Sequence, residues 1–156
     1  MLLSYSLAAL VAFSGLFVGA TLAFFTQEEL PVGRRYFPWM QKLLLIAIVS
    51  VVLHALHVQL LYRIVAYAAL LLLLLRTAVP NLYPFLGFLF FFSGVTQPIL
   101  YLVSVLIFLY GFPTGSLLVA EPKKTGGKTM LKQILIRYGA FVPIAVLAQI
   151  AFQFFS

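Results

Sequence analysis

Residues 2–25 read LLSYSLAALVAFSGLFVGATLAFF, twenty-four residues without a charge or a proline. At about 1.5 Å per residue, such a helix reaches across the roughly 30 Å hydrocarbon core of a bilayer. No Lys or Arg precedes the run. It therefore lacks the positive n-region of a secretory signal and is expected to be a retained spanning helix with its N-terminus on the outer side. Ala8, Ala12, Gly15, Gly19 and Ala23 recur at three- and four-residue spacing. This stripe contains Gly15-x-x-x-Gly19 and removes bulk from one face, which predicts close packing of Gly15 and Gly19 against another helix.

The remaining sequence has the same character. Of 156 residues, 64% are hydrophobic and 8% charged, with a mean hydropathy of +1.14, whereas a soluble domain carries roughly 25% charged residues. A polar segment, Thr26 to Lys42, holds Arg34, Arg35 and the aromatic anchor Trp39. About forty residues without Gly or Pro follow Pro38, enough for a hairpin of two spans. Its turn is expected near Leu60 to Arg63, beside the polar cluster His54, His57, Gln59, Tyr62, Arg63 and Tyr67. Leu82 to Val95, dense in Phe, is short for a span and equally compatible with a re-entrant segment. Gln97-Pro98 opens a fifth run to Ala120, interrupted by Gly111, Pro113 and Gly115. A second basic segment, Glu121 to Lys132, precedes a final run, Leu131 to Phe155.

The pattern predicts an all-α polytopic integral membrane bundle, a single domain over residues 1–156, with six transmembrane helices; five plus a re-entrant segment is the second choice. Six spans put nine of the ten Lys and Arg residues on one side and Arg63 alone on the other, the asymmetry of the positive-inside rule. The expected location is therefore a cell membrane, multi-pass, with basic loops cytoplasmic and both termini outside. Gly19 to Lys42 and Gly115 to Lys132 share an order of features: Gly and a small residue, Glu, Pro, Gly with basic residues, then Met before Lys. That order is compatible with a parallel duplication of the first two helices as the last two.

Chemistry is constrained by what is missing. Glu28, Glu29 and Glu121 are the only acids, and the sequence has no Asp and no Cys. Paired intramembrane aspartates, an Asp-rich Mg²⁺ site, thiolate catalysis and Cys-bound metal are thereby excluded within the chain. His54 and His57, at i and i+3, are candidate metal ligands, although an interfacial hairpin end explains them as well. Glu28-Glu29 with Arg34 departs from the spacing of prenyl-protein proteases, and Thr125-Gly126-Gly127-Lys128-Thr129 lacks the first Gly and the strand of a phosphate-binding loop. Arg34, Arg35, Lys123, Lys124 and Lys128 remain candidates for lipid-phosphate contact at anionic headgroups. Gln149 and Gln153 share a face at i, i+4, and with Gly111, Pro113 and Gly115 they are candidates for lining a cavity or kink.

The expected function is that of a non-catalytic subunit or scaffold packing in a membrane assembly. The alternative is a small oligomeric transporter or channel for a small solute, with a fifth helix broken at Gly111–Gly115. No enzymatic activity, cofactor or nucleic-acid partner is expected. The expected partners are membrane lipids and either a second copy or another membrane subunit.

Overall fold

In the computed structural model, which describes residues 2–26, 33–76, 82–94, 96–119, 132, 134–136 and 138–155, the chain folds into helices and no strand occurs among the described residues. The helices are α1 (Leu2–Phe25), α2 (Phe37–Ala55), α3 (Leu60–Arg76), α4 (Tyr83–Ser93), α5 (Gln97–Val119) and α6 (Phe141–Phe155). Prolines punctuate their starts. Pro38, Pro84, Pro98 and Pro143 each lie in a first turn, where a missing N–H costs nothing. Pro143 also denies the Gly139 carbonyl its helical donor, and the chain turns at Gly139 and Ala140 between α6 and the helical residues 134–136.

Packing is organised by α1 and α5, which run parallel with glycine against glycine. A Cβ on Gly15 would land on the Phe108 carbonyl, one on Gly19 on the Phe112 carbonyl, and one on Gly115 on the Leu16 carbonyl. A Cβ on Gly111 would lie 2.5 Å from the Gly15 carbonyl carbon. Backbone meets backbone, and the Ser116 hydroxyl donates across the contact to the Gly19 carbonyl at 3.2 Å. Ala8, Ala12, Ala20 and Ala23 continue the buried face of α1.

The other contacts fix every direction. Gln41 of α2 bonds Thr114 near the end of α5, while Ser50, Val51 and His54 lie beside Ile99 and Leu102 near its start, so α2 is antiparallel to α5. Tyr67 of α3 bonds Ser50, which makes α3 antiparallel to α2. Tyr5 meets Phe90 while Phe13 meets Tyr83, so α4 opposes α1. Tyr5 also donates to the Ala145 carbonyl while Phe13 stacks on Phe141, so α6 opposes α1 as well. Successive helices alternate in direction. Both α1 and α5 begin at the upper end of the bundle.

Four segments are long and apolar enough to cross a membrane: Leu3–Phe25, Phe37–Ala55, Gln97–Val119 and Ile134–Ala151. The other two runs depart from the expected lengths. α3 has 17 residues, and Leu82 to Val95 supplies only the 11 residues of α4, roughly 16 Å of helix. Tyr83, its first residue, touches Phe13 midway along α1 and Tyr110 midway along α5. α4 therefore covers only the upper half of the bundle.

Two further expectations are corrected. The turn between α2 and α3 lies at Leu56–Gln59, upstream of Leu60 to Arg63, because the end of α2 is built as a two-bond C-terminal cap. His57 N–H donates to the His54 carbonyl at 3.1 Å and Val58 N–H to the Leu53 carbonyl at 3.3 Å, the paired pattern that reverses a helix end. Nor is α5 broken at Gly111–Gly115. It runs uninterrupted from Gln97 to Val119 with Pro113 inside it, and both glycines face the α1 backbone rather than a cavity. The two glycines cost about 1 kcal/mol each and the proline about 3 kcal/mol in an isolated helix. Close contact with α1 offsets that cost.

Because the neighbours here are main-chain atoms, even a methyl group has no room. Gly19→Ala and Gly111→Ala are expected to lower stability in detergent by about 1–3 kcal/mol each. Gly33→Ala, which meets only the movable Phe37 ring, should cost far less. Thermal unfolding of the three variants checks this, and equal midpoints for all three would show that the crossing tolerates separation.

Candidate functional site: a buried hydroxyl layer and a cleft beside α3

At half-depth the start of α4 meets α5 and the residues preceding α6 in a layer of aromatic rings. Tyr83 lies 5.2 Å from Tyr138, 5.6 Å from Phe141 and 5.9 Å from Tyr110, centroid to centroid. All four are essentially without solvent exposure. Below this layer Thr114 donates back to the Tyr110 carbonyl at 2.8 Å and accepts from Gln41 Nε2 at 2.8 Å. Among the described residues two polar atoms are left over: the Tyr83 hydroxyl and Gln41 Oε1 are buried and find no hydrogen-bond partner there. Each such orphan costs about 1–3 kcal/mol.

A second feature lies near the upper end, where α3 stands away from α2. A cleft of about 450 Å³ is lined by Ser50, Val51, His54, Ala55, Arg63, Tyr67, Ile99 and Leu102. One wall is set by the Tyr67 hydroxyl, 2.9 Å from Ser50 Oγ, which itself donates to the Ile46 carbonyl at 2.8 Å. Arg63 Nε donates to the Val58 carbonyl at 2.6 Å.

The residues singled out from sequence are not gathered into one place. Gly15 and Gly19 lie in the α1–α5 crossing with Gly111 and Gly115, and Pro113 is buried beside them. His54 is in the last turn of α2, but His57 lies past the helix end at φ 49°, so the two imidazoles do not share a helical face. No group of three or more metal-ligating side chains occurs among the described residues. Arg34 and Arg35 are exposed in the turn before α2; Lys123, Lys124 and Lys128 lie outside the described residues. Gln149 packs near Gly94, where an added Cβ would meet its Oε1 at 3.4 Å, and Gln153 is in the last turns of α6.

Gln41, Thr114 and Tyr83 escape a reading by composition, because each sits singly at the edge of an apolar run. The available signal is polarity within a span, which Gln41 and Thr114 carry. Tyr83 looks like an interfacial ring until its depth is known. Comparison with known protein families, with characterised proteins and with solved structures finds no match to this chain.

Two substitutions separate structural groups from working ones. Tyr83→Phe removes only an orphaned hydroxyl, so it should leave the melting midpoint unchanged or raise it by the equivalent of about 1 kcal/mol, whereas Gln41→Leu removes an orphaned oxygen together with the Nε2 bond to Thr114, two changes that should nearly cancel. A fall of several degrees for both would mean that these atoms are paired in the membrane. His57→Gly should stabilise by about 1 kcal/mol, since glycine takes the left-handed cap position without the side-chain penalty. Chemical or thermal unfolding reads the difference, and destabilisation would assign the imidazole a partner.

Proposed function

We propose that this chain is a six-span membrane protein acting as a non-catalytic subunit or scaffold, either as a homo-oligomer or with another membrane subunit. The observation that carries the reading is α3. Its own chain buries only Leu70 and Leu74, while Leu60, Leu61, Ile64, Val65, Leu71, Leu72 and Leu75 are each more than half exposed. A helix so weakly held by its own bundle contributes apolar surface that a neighbouring subunit can cover. Meanwhile the interior is taken up by glycine-mediated contact and stacked rings, which leaves little room for a path.

Alternation of the helices supports the six-span topology, with α3 and α4 as the central hairpin. In this topology the basic segments that follow α1 and α5 in the sequence share one side, where Arg34, Arg35 and the lysines of residues 121–132 would face anionic cytoplasmic headgroups. The Lys42 ammonium, 5.5 Å from the Trp39 ring centroid, fits an interfacial anchor at that end.

A transporter for a small neutral solute is the second reading. The unbroken α5 removes the feature it first rested on, and it now rests on the orphaned Tyr83 hydroxyl and Gln41 Oε1 at half-depth.

The sequence has no cysteine, so single introduced thiols report cleanly. Arg35→Cys and Lys132→Cys are expected to label from one side of the membrane, and Gln59→Cys and Thr96→Cys from the other; any crossing of these pairs defeats the topology. A photocrosslinking residue at Leu72 should give a protein adduct of discrete mass in native membranes. Lipid adducts alone, together with solute-dependent swelling of proteoliposomes that Tyr83→Phe abolishes, would favour transport instead.

A further inference from the structure

We infer that the cleft beside α3 is a binding site for one phospholipid, with the phosphodiester on Arg63 and an acyl chain against Val51, Ile99 and Leu102. The argument begins with charge. Between Glu29 and Glu121 the sequence contains no acid, so the three helices that line the cleft, α2, α3 and α5, carry no carboxylate to neutralise Arg63. A guanidinium at a membrane surface needs an anion or water, and the anion that a bilayer supplies in abundance is a lipid phosphate.

Geometry prepares the cation for that role. Arg63 Nε–H is committed to the Val58 carbonyl at 2.6 Å, which anchors the planar group and leaves the two Nη nitrogens as the donors for a bidentate contact with phosphate oxygens. His54, on the last turn of α2, stands on the same rim and adds a second hydrogen-bonding group. Its Tyr67 neighbour is held by Ser50, which keeps that wall in place.

The rest of the lining is mainly apolar, and the two hydroxyls one turn deeper, of Ser50 and Tyr67, are bonded to each other. Val51, Ile99 and Leu102 line the cleft, and about 450 Å³ accommodates part of an acyl chain. A cation beside mainly apolar walls matches an amphiphile better than a free ion, because a free phosphate would leave Val51, Ile99 and Leu102 without a partner. The site is at the opposite end of the bundle from Arg34, Arg35 and Lys132, and it is distinct from any attraction those residues exert.

The test is native mass spectrometry of the full chain released from nanodiscs of equimolar POPC and POPG, comparing wild type with Arg63→Gln and Leu102→Trp. Leu102 is half exposed, so the indole fills the cleft without disturbing the core and leaves the charge intact. One retained phospholipid per wild-type chain is expected, with retention reduced about tenfold in both variants, a change of roughly 1.4 kcal/mol. Equal retention in all three proteins would overturn the site, as would loss in Arg63→Gln alone, which would indicate only general attraction of headgroups to charge. Added inorganic phosphate should not displace the lipid; its replacement by a phosphate adduct would identify a free-anion site and refute the lipid assignment. A circular-dichroism spectrum of each variant verifies the helical fold, and a further variant, Ile99→Trp, repeats the cleft-filling arm if Leu102→Trp fails to fold.

Discussion

The backbone contact between α1 and α5 is the constraint to which the rest of the bundle is fitted. In hydrocarbon, two apolar helices gain nothing from leaving water, so association rests on van der Waals contact and on the few hydrogen bonds available. Glycines at 15, 19, 111 and 115 let the two main chains touch, and the Ser116 hydroxyl adds a bond at the same crossing. Parallel packing of the first and fifth helices leaves the intervening three to make a net single reversal. The alternating directions of α2, α3 and α4 satisfy that requirement.

Half-depth is where the bundle changes its means of filling space. Above it, α4 lies against α1, α5 and α6, with Phe90 between Tyr5 and Phe141. Below it there is no α4, and the buried volume is taken by Tyr138 and Ile134, with the Gln41–Thr114 pair on the α2 side. The Tyr83 ring sits at this boundary because it begins the short helix. Its hydroxyl is consequently too deep for water and misses the bonds that a tyrosine at a membrane surface obtains. The orphaned atom is a consequence of the length of α4.

The helical class, the end of α1 and the small-residue stripe along it are legible, because they depend on run length and on three- and four-residue spacing. What was not legible is what a helix-breaking residue does when its neighbour is another helix. Gly111, Pro113 and Gly115 read in isolation as an interruption, since propensity counts their cost and not the contact that offsets it. The α2–α3 turn lies a few residues before the position that polarity suggests, for a related reason. Polarity marked the cluster from His54 to Arg63, but the chain reverses at His57, a residue type that tolerates the left-handed region better than most non-glycine residues. No glycine advertised the position. The depth of Tyr83 and the cleft beside α3 arise from tertiary placement and have no counterpart in one-dimensional pattern.

His57 and Arg63 turn out to belong to one device. The left-handed residue closes the end of α2, returning the amides of His57 and Val58 to the carbonyls of His54 and Leu53. Val58 then has its carbonyl available, and Arg63, one turn into α3, donates to it. A cation without a carboxylate in any of the helices around it is thus held by a main-chain dipole that the cap makes accessible. Arg34 and Arg35, at the other end of the bundle, follow Glu28 and Glu29 within a few residues of sequence. The two ends therefore solve the problem of positive charge differently. Arg34 and Arg35 have acids close by in sequence; Arg63 has a carbonyl, a cleft and whatever anion the surroundings provide.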